Sequence, residues 1–186
     1  IHIVIIAISI VSFLLLAIYA LAFHALNSYS VEENDLSQCA TILSKVKNYN
    51  PELVSFFPED CSENVAERRF SYSPALMQGG EHIQLKVALS TEEINDLIDK
   101  YRNDSIATYK GGNKNTHSAV DPFIPTTFYY TNDTDENTFP FSFEIFVLYA
   151  KSCETKDCGF EWNHGDTSGV AIDTQNNIVI YWAESW

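Results

Sequence analysis

Residues 1–26, IHIVIIAISIVSFLLLAIYALAFHAL, contain no Asp, Glu, Lys or Arg. A helix needs about 20 apolar residues to cross a hydrocarbon layer roughly 30 Å thick, and this stretch is long enough. Ser9 and Ser12 interrupt it, and a serine satisfies its hydroxyl on its own helix. Tyr19 and His24 fall toward one end, where amphipathic rings suit a membrane interface. A cleaved signal peptide is the competing reading, because YALA at 19–22 has the small-x-small pattern of a cleavage site. The run is longer than the usual apolar region of about 7 to 15 residues, which favours a retained transmembrane anchor. A buried core helix would need more surrounding protein than the chain supplies.

The segment after the anchor, SYSVEENDLSQ, has acids and no Lys or Arg. The positive-inside tendency gives no reason to hold it in the cytoplasm. The expected organisation is therefore an anchor at 1–26, a polar linker at 27–34, and an extracytoplasmic domain at 35–186. That places a single-pass protein in the membrane, with its domain in the periplasm or on the cell surface. Beyond the anchor the chain is acidic yet rich in Phe, Tyr and Trp, which argues for a folded core. The formal net charge is −14, from 25 acidic and 11 basic residues. Such a surface repels phosphate backbones, so nucleic acid is excluded as a partner. It also disfavours lying flat on anionic lipid.

Four cysteines, Cys39, Cys61, Cys153 and Cys158, agree with an oxidising compartment and suggest two disulfides. Three pairings are open. The short ETKD stretch between Cys153 and Cys158 suits a local bridge, which leaves Cys39 with Cys61. No C-x-x-C pair is present, so a four-thiolate metal site has the wrong spacing.

Hydrophobic periodicity predicts the elements. Leu36, Cys39, Ala40, Leu43 and Val46 recur at helical spacing, with Asp35 placed to cap the start. In EHIQLKVALS, Ile83, Leu85, Val87 and Leu89 alternate as in a strand. Ser90 and Glu93 form a capping box for a helix carrying Ile94, Leu97, Ile98 and Tyr101 on one face. IPTTFYYTN reads as a strand. FPFSFEIFVLYAKS reads as a long interior strand, with Phe141, Phe143, Ile145, Val147 and Tyr149 on one face and Phe146 and Leu148 on the other. SGVAID and NIVIYWAESW flank the turn TQNN as a C-terminal hairpin. The expected fold is α+β: an N-terminal transmembrane helix, then a mostly antiparallel sheet packed with two helices on one side.

Candidate chemistry gathers in FEWNHGDTSG, residues 160–169. His164 with Asp166 or Glu161 forms a His–carboxylate pair suited to proton transfer, or a partial metal-ligand set with His117. No nucleophile or phosphate-loop motif accompanies it. The structural alternative is a turn closed by Asp166, Thr167 and Ser168, with Trp162 packed on the sheet beside Trp182. At the chain's end Trp182, Glu184 and Trp186 share one face of a strand by period-2 spacing. Two tryptophans around a carboxylate suit a sugar, a cation or a peptide. The Gly-Gly loop at 111–112, with His117 and Asp121, is a second candidate surface. DTDE at 133–136 lacks the Gly and distal Glu of a calcium loop.

The sequence thus favours a membrane-anchored binding domain stabilised by disulfides. Its candidate binding residues are Trp162, His164, Asp166, Trp182, Glu184 and Trp186, its expected partner is a protein of the envelope, and no cofactor or metal is expected. The alternatives are an envelope hydrolase or metal-dependent enzyme using His164, Asp166 and Glu161, and a purely structural envelope protein.

Overall fold

The computed structural model describes residues 2–29, 36–59, 61, 67–75, 80–112, 124–132, 137–152 and 165–186. The elements run α1 (His2–Tyr29), α2 (Leu36–Tyr49), β1 (Arg69–Ser73), β2 (Glu81–Ala88), α3 (Thr91–Asp104), β3 (Ala107–Lys110), β4 (Phe143–Ser152), β5 (Gly165–Asp173) and β6 (Ile178–Ser185). The six strands form one sheet in the order β1-β2-β6-β5-β4-β3, with every neighbouring pair antiparallel. The α+β class with an antiparallel sheet is as expected.

Residues 2–26 are helical in backbone, and α1 extends for 28 residues. Its side chains are described from Ile10 to Phe23, and they are largely exposed, with Phe13 at 73% and Leu21 at 69%. Among the described residues no helix is long and apolar enough to cross a membrane, so the described part of α1 does not by itself carry the spanning expectation.

Both remaining helices pack on one face of the sheet. Cys39, Ile42, Leu43 and Val46 of α2, and Ile94, Ile98 and Tyr101 of α3, join one core with Phe70, Leu85, Phe146, Ile172 and Tyr181. Ala40 is exposed and Ile42 buried, so the buried stripe of α2 sits slightly round from the expected one. Cys39 is bridged to Cys61 with 6.0 Å between Cα atoms, which ties α2 to the segment that follows it. Cys153 and Cys158 lie outside the described residues. The start of α3 is the expected capping box: Ser90 accepts from the Glu93 backbone, and the Glu93 carboxylate accepts from the Ser90 backbone N–H. α3 then carries the chain from β2 across the sheet to the edge strand β3.

Among the described residues the opposite face is covered without a helix. Ile145, Val147, Ala171, Ile180 and Trp182 pack there under Tyr129, Phe139 and Phe143. The expected strand IPTTFYYTN is instead an irregular segment lying over this face. Its backbone finds partners in a buried side chain rather than in a ladder: Gln84 donates to Phe128 O at 2.6 Å and accepts from Thr131 N at 3.0 Å. A thread of threonines and aromatics satisfies its polar groups equally well this way.

Two further expectations change. Phe141 is 75% exposed and precedes β4. A bulge between Val147 and Tyr149 shifts the register of β4 against β5, so Tyr149 packs on the helix-covered core rather than beside Val147. At this bulge Gly169 lies so near that a Cβ would stand 2.0 Å from Phe146 O and 2.9 Å from Trp182 Cζ2. Asp166, Thr167 and Ser168 belong to strand β5 and do not close a turn. The glycine serves close packing instead.

Candidate ligand-binding site

Strand β6 lies inside the sheet, between β2 and β5, and its alternation divides its side chains between the two faces. Trp182 is fully buried in the core beneath the irregular segment. Glu184, two residues on, is also fully buried. Its carboxylate accepts from the Thr127 hydroxyl, and from Trp186 Nε1 at 3.1 Å. Tyr130 bonds it as well, and burial followed by this carboxylate pushes the Tyr130 phenol well above its usual range.

Trp186 ends this array and differs from the buried aromatics, because 41% of its surface is exposed. Its ring lies against Gly80, where an added Cβ would come within 2.7 Å of Trp186 Cε3. The indole is thus fixed from below by a glycine and at its N–H by a carboxylate, with part of its surface open.

The array continues inward from Tyr130. The ring of His82, which faces Glu184 across the β2–β6 ladder, stacks on Tyr130 with centroids 3.7 Å apart and planes 5° apart. His82 Nε2 lies 3.4 Å from Ser71 Oγ on β1. Gln84 also anchors Thr127 Oγ1 at 3.2 Å and accepts from Thr131 Oγ1 at 3.0 Å, so the segment that carries Tyr130 is held by the sheet. Beside Glu184 on the other flank stands Thr167 of β5, its direct cross-strand partner. Thr167 is 1% exposed, and its Oγ1 finds no hydrogen-bond partner among the described residues; the same holds for Trp182 Nε1.

Asp166 belongs to the other face. It accepts from Asn50 Nδ2 at 2.9 Å, at the end of α2. Across β6 from it, Glu81 accepts from Tyr49 at 2.7 and 2.6 Å and from Tyr72 at 3.1 Å. Burial, reinforced by Glu81, raises both phenols above their ordinary range. These contacts clamp α2 to the sheet. The expected grouping of Asp166 with Trp182, Glu184 and Trp186 is therefore split: alternation along β5 turns Asp166 to the helix face, whereas Thr167 faces Glu184.

Glu161, Trp162, His164, His117 and Asp121 lie outside the described residues, as does DTDE at 133–136. Gly111 and Gly112, expected to loosen a loop, donate their backbone N–H groups to Phe143 O at 3.0 Å and Phe139 O at 2.6 Å. Among the described residues no group of three or more His, Cys, Asp or Glu side chains is placed to hold a metal ion. A groove of about 270 Å³ beside α2 is lined by Leu43, Val54 and Phe57 together with Ser44, Lys47 and Glu59.

Sequence reasoning missed His82, Tyr130, Thr127 and Thr167. For His82 a signal existed, since strand alternation puts it on the same face as Gln84. For Tyr130 there was none, because its place depends on a segment that crosses the sheet. Comparison with protein-family models, curated proteins and solved structures finds no match to this chain.

Proposed function

We propose that the chain is a membrane-anchored binding domain displayed on the extracytoplasmic side, and that it captures a protein partner of the envelope with the Trp186 end of β6. The observation that carries this is the part-exposed indole of Trp186, held by Gly80 and Glu184 while Trp182 and Glu184 on the same strand are fully buried. An indole fixed in advance loses little entropy on binding, and tryptophan is prominent among residues that dominate interfaces. The anchor rests on the uncharged run 1–26, its helical backbone and its exposed apolar side chains. The Cys39–Cys61 bridge suits an oxidising compartment. Within the site Asp166 is engaged by Asn50, so the enzymatic alternative with His164 gains no support from its described member.

The test compares the wild type with Trp186→Ala in membranes of the native host. Carbonate extraction and protease shaving report anchoring and sidedness, and crosslinking reports the captured partner. The expected result is a membrane-retained, externally accessible domain whose crosslinked partner is lost in Trp186→Ala at unchanged thermal stability. Equal loss of folding and capture, or capture indifferent to the substitution, refutes the Trp186 surface.

A further inference from the structure

We infer that Phe141 is a knob by which one copy of this chain docks into the groove beside α2 of a second copy. The inference goes beyond the Trp186 surface and uses none of its residues. The stretch FPFSF, residues 139–143, divides its three rings between inside and outside. Phe139 and Phe143 are 1% and 2% exposed, their centroids are 5.2 Å apart, and both pack on Tyr129. Phe141 between them is 75% exposed, more than any other large apolar side chain described. The turn that carries it is pinned. The Phe143 N–H donates to Pro140 O at 3.1 Å, and Ser142 Oγ donates to the buried Asp173 carboxylate at 2.9 Å. Gly112, at φ +85°, lies against the ring, where a Cβ would stand 2.5 Å from Phe141 Cε1. Aromatic rings are enriched at interfaces, and one fixed in advance loses little freedom on docking.

The same chain carries a matching hole. The groove beside α2 has a volume of about 270 Å³ and an apolar floor of Leu43, Val54 and Phe57. A cavity of about 150 Å³ already holds a benzene molecule, so a phenyl ring fits with room to spare. Phe141 does not line the groove of its own copy, and its exposure leaves the ring available to another. The rim bears one charge of each sign, Glu59 and Lys47. The knob does too: Lys110, which precedes Gly111 and Gly112, pairs with Glu144 at 3.6 Å, and its side chain is 65% exposed. The two sets are complementary when Lys110 is seated toward Glu59. At exposed positions such charges orient the contact and add little affinity. Knob and hole are different surfaces, so a copy that gives its ring still offers its groove, and copies join head to tail. One ring covers far less than a standard interface, so the association is weak and rises with concentration.

The experiment mixes two forms of the full chain in a neutral detergent: heavy-isotope-labelled wild type, and unlabelled chain with p-benzoylphenylalanine in place of Phe141. Irradiation and mass spectrometry then map what position 141 touches. The expected result is a link to labelled peptides from 40–47 or 54–59, with a yield that rises with concentration. Ser44→Trp in the labelled chain fills the groove from an exposed position. It is expected to cut that link about tenfold at unchanged melting temperature, so the loss is not a loss of fold. In sedimentation, Phe141→Ala is expected to weaken self-association by about tenfold, also at unchanged melting temperature because the ring is exposed. Links confined to unlabelled peptides would mean that the ring reaches its own groove, and would overturn the inference. Links to other parts of the labelled chain, or to detergent alone, would overturn it as well. Self-association indifferent to Phe141→Ala would assign the contact to α1 instead. A link formed in host membranes only, and to a different protein, would replace the second copy with a foreign occupant. None of these results bears on the Trp186 surface, which is read from Trp186→Ala.

Discussion

Replacing Gln84 with Met tests whether one buried amide holds the segment that carries Tyr130. Gln84 is fully buried, and its amide makes four hydrogen bonds to residues 127–131. Methionine matches its length and volume but offers none of them. The one Thr127 hydroxyl proton stays shared between Phe128 O at 3.0 Å and the Glu184 carboxylate. The Thr131 N–H and its hydroxyl, 3% exposed, lose the acceptor they share. Orphaning a buried backbone N–H costs about 1–3 kcal/mol, and the remaining lost bonds add about 1 kcal/mol, so a total near 3 kcal/mol is expected. Equilibrium unfolding in urea reads it as a lowered midpoint at unchanged slope. Near-ultraviolet circular dichroism reads the release of Tyr130 from the His82 stack. Gln84→Met combined with Thr131→Val then completes a double-mutant cycle, expected to be strongly non-additive because the two residues share bonds. A cost below about 1 kcal/mol with an intact Tyr130 signal would refute the claim that Gln84 organises this face.

Two other outcomes follow from the packing. Cys39→Ser with Cys61→Ser opens a loop with a sequence separation of 22, for which the chain-entropy relation gives about 3 kcal/mol of lost stability. Reduction of the wild type should reproduce it, and a loss under about 1 kcal/mol would show that the bridge merely decorates contacts already formed. Alkaline stability is set by tyrosines: Tyr49, Tyr72, Tyr130 and Tyr181 are pushed above their ordinary range by burial, and Tyr149 is pushed up to about 12 by burial and Glu52. A raised folded value means the unfolded chain releases these protons first. Stability is then full below about pH 10 and falls as pH rises through and beyond 12. Phenolate absorbance should lag on titration and jump with unfolding, whereas all ten tyrosines ionising near pH 10 in a folded chain would contradict the burial.

What was legible in the sequence was decided locally. The capping box of α3, the alternation of β2 and the TQNN turn between β5 and β6 each depend on residues a few positions apart, and each is present. The sharing of one sheet face by α2 and α3 followed from their apolar stripes. What was hidden depends on partners far away in sequence. Residues 124–132 look like a strand, yet Gln84, some 40 positions earlier, decides that they cross the sheet. The β4 bulge answers the close approach of Gly169 to Phe146 O, which no pattern in FPFSFEIFVLYAKS reveals. In the site, the spacing of Trp182, Glu184 and Trp186 was readable, but the half-exposure of Trp186 depends on Gly80 in another strand's approach. The partners of Glu184 depend on Thr127 and Tyr130.

The place of β6 inside the sheet has a consequence for the order of assembly. Its neighbour β2 ends at Ala88, and the strand that fills the gap begins at Ile178. Until residues 178–185 arrive, β2 and β5 each present a bare ladder edge, and such edges are where nascent chains mispair with one another. Closing a pairing across that span makes maturation slow relative to a helical domain of the same size. Because Gly80, Glu184 and Trp186 meet only when β6 is seated, the proposed capture surface is complete only once the sheet is.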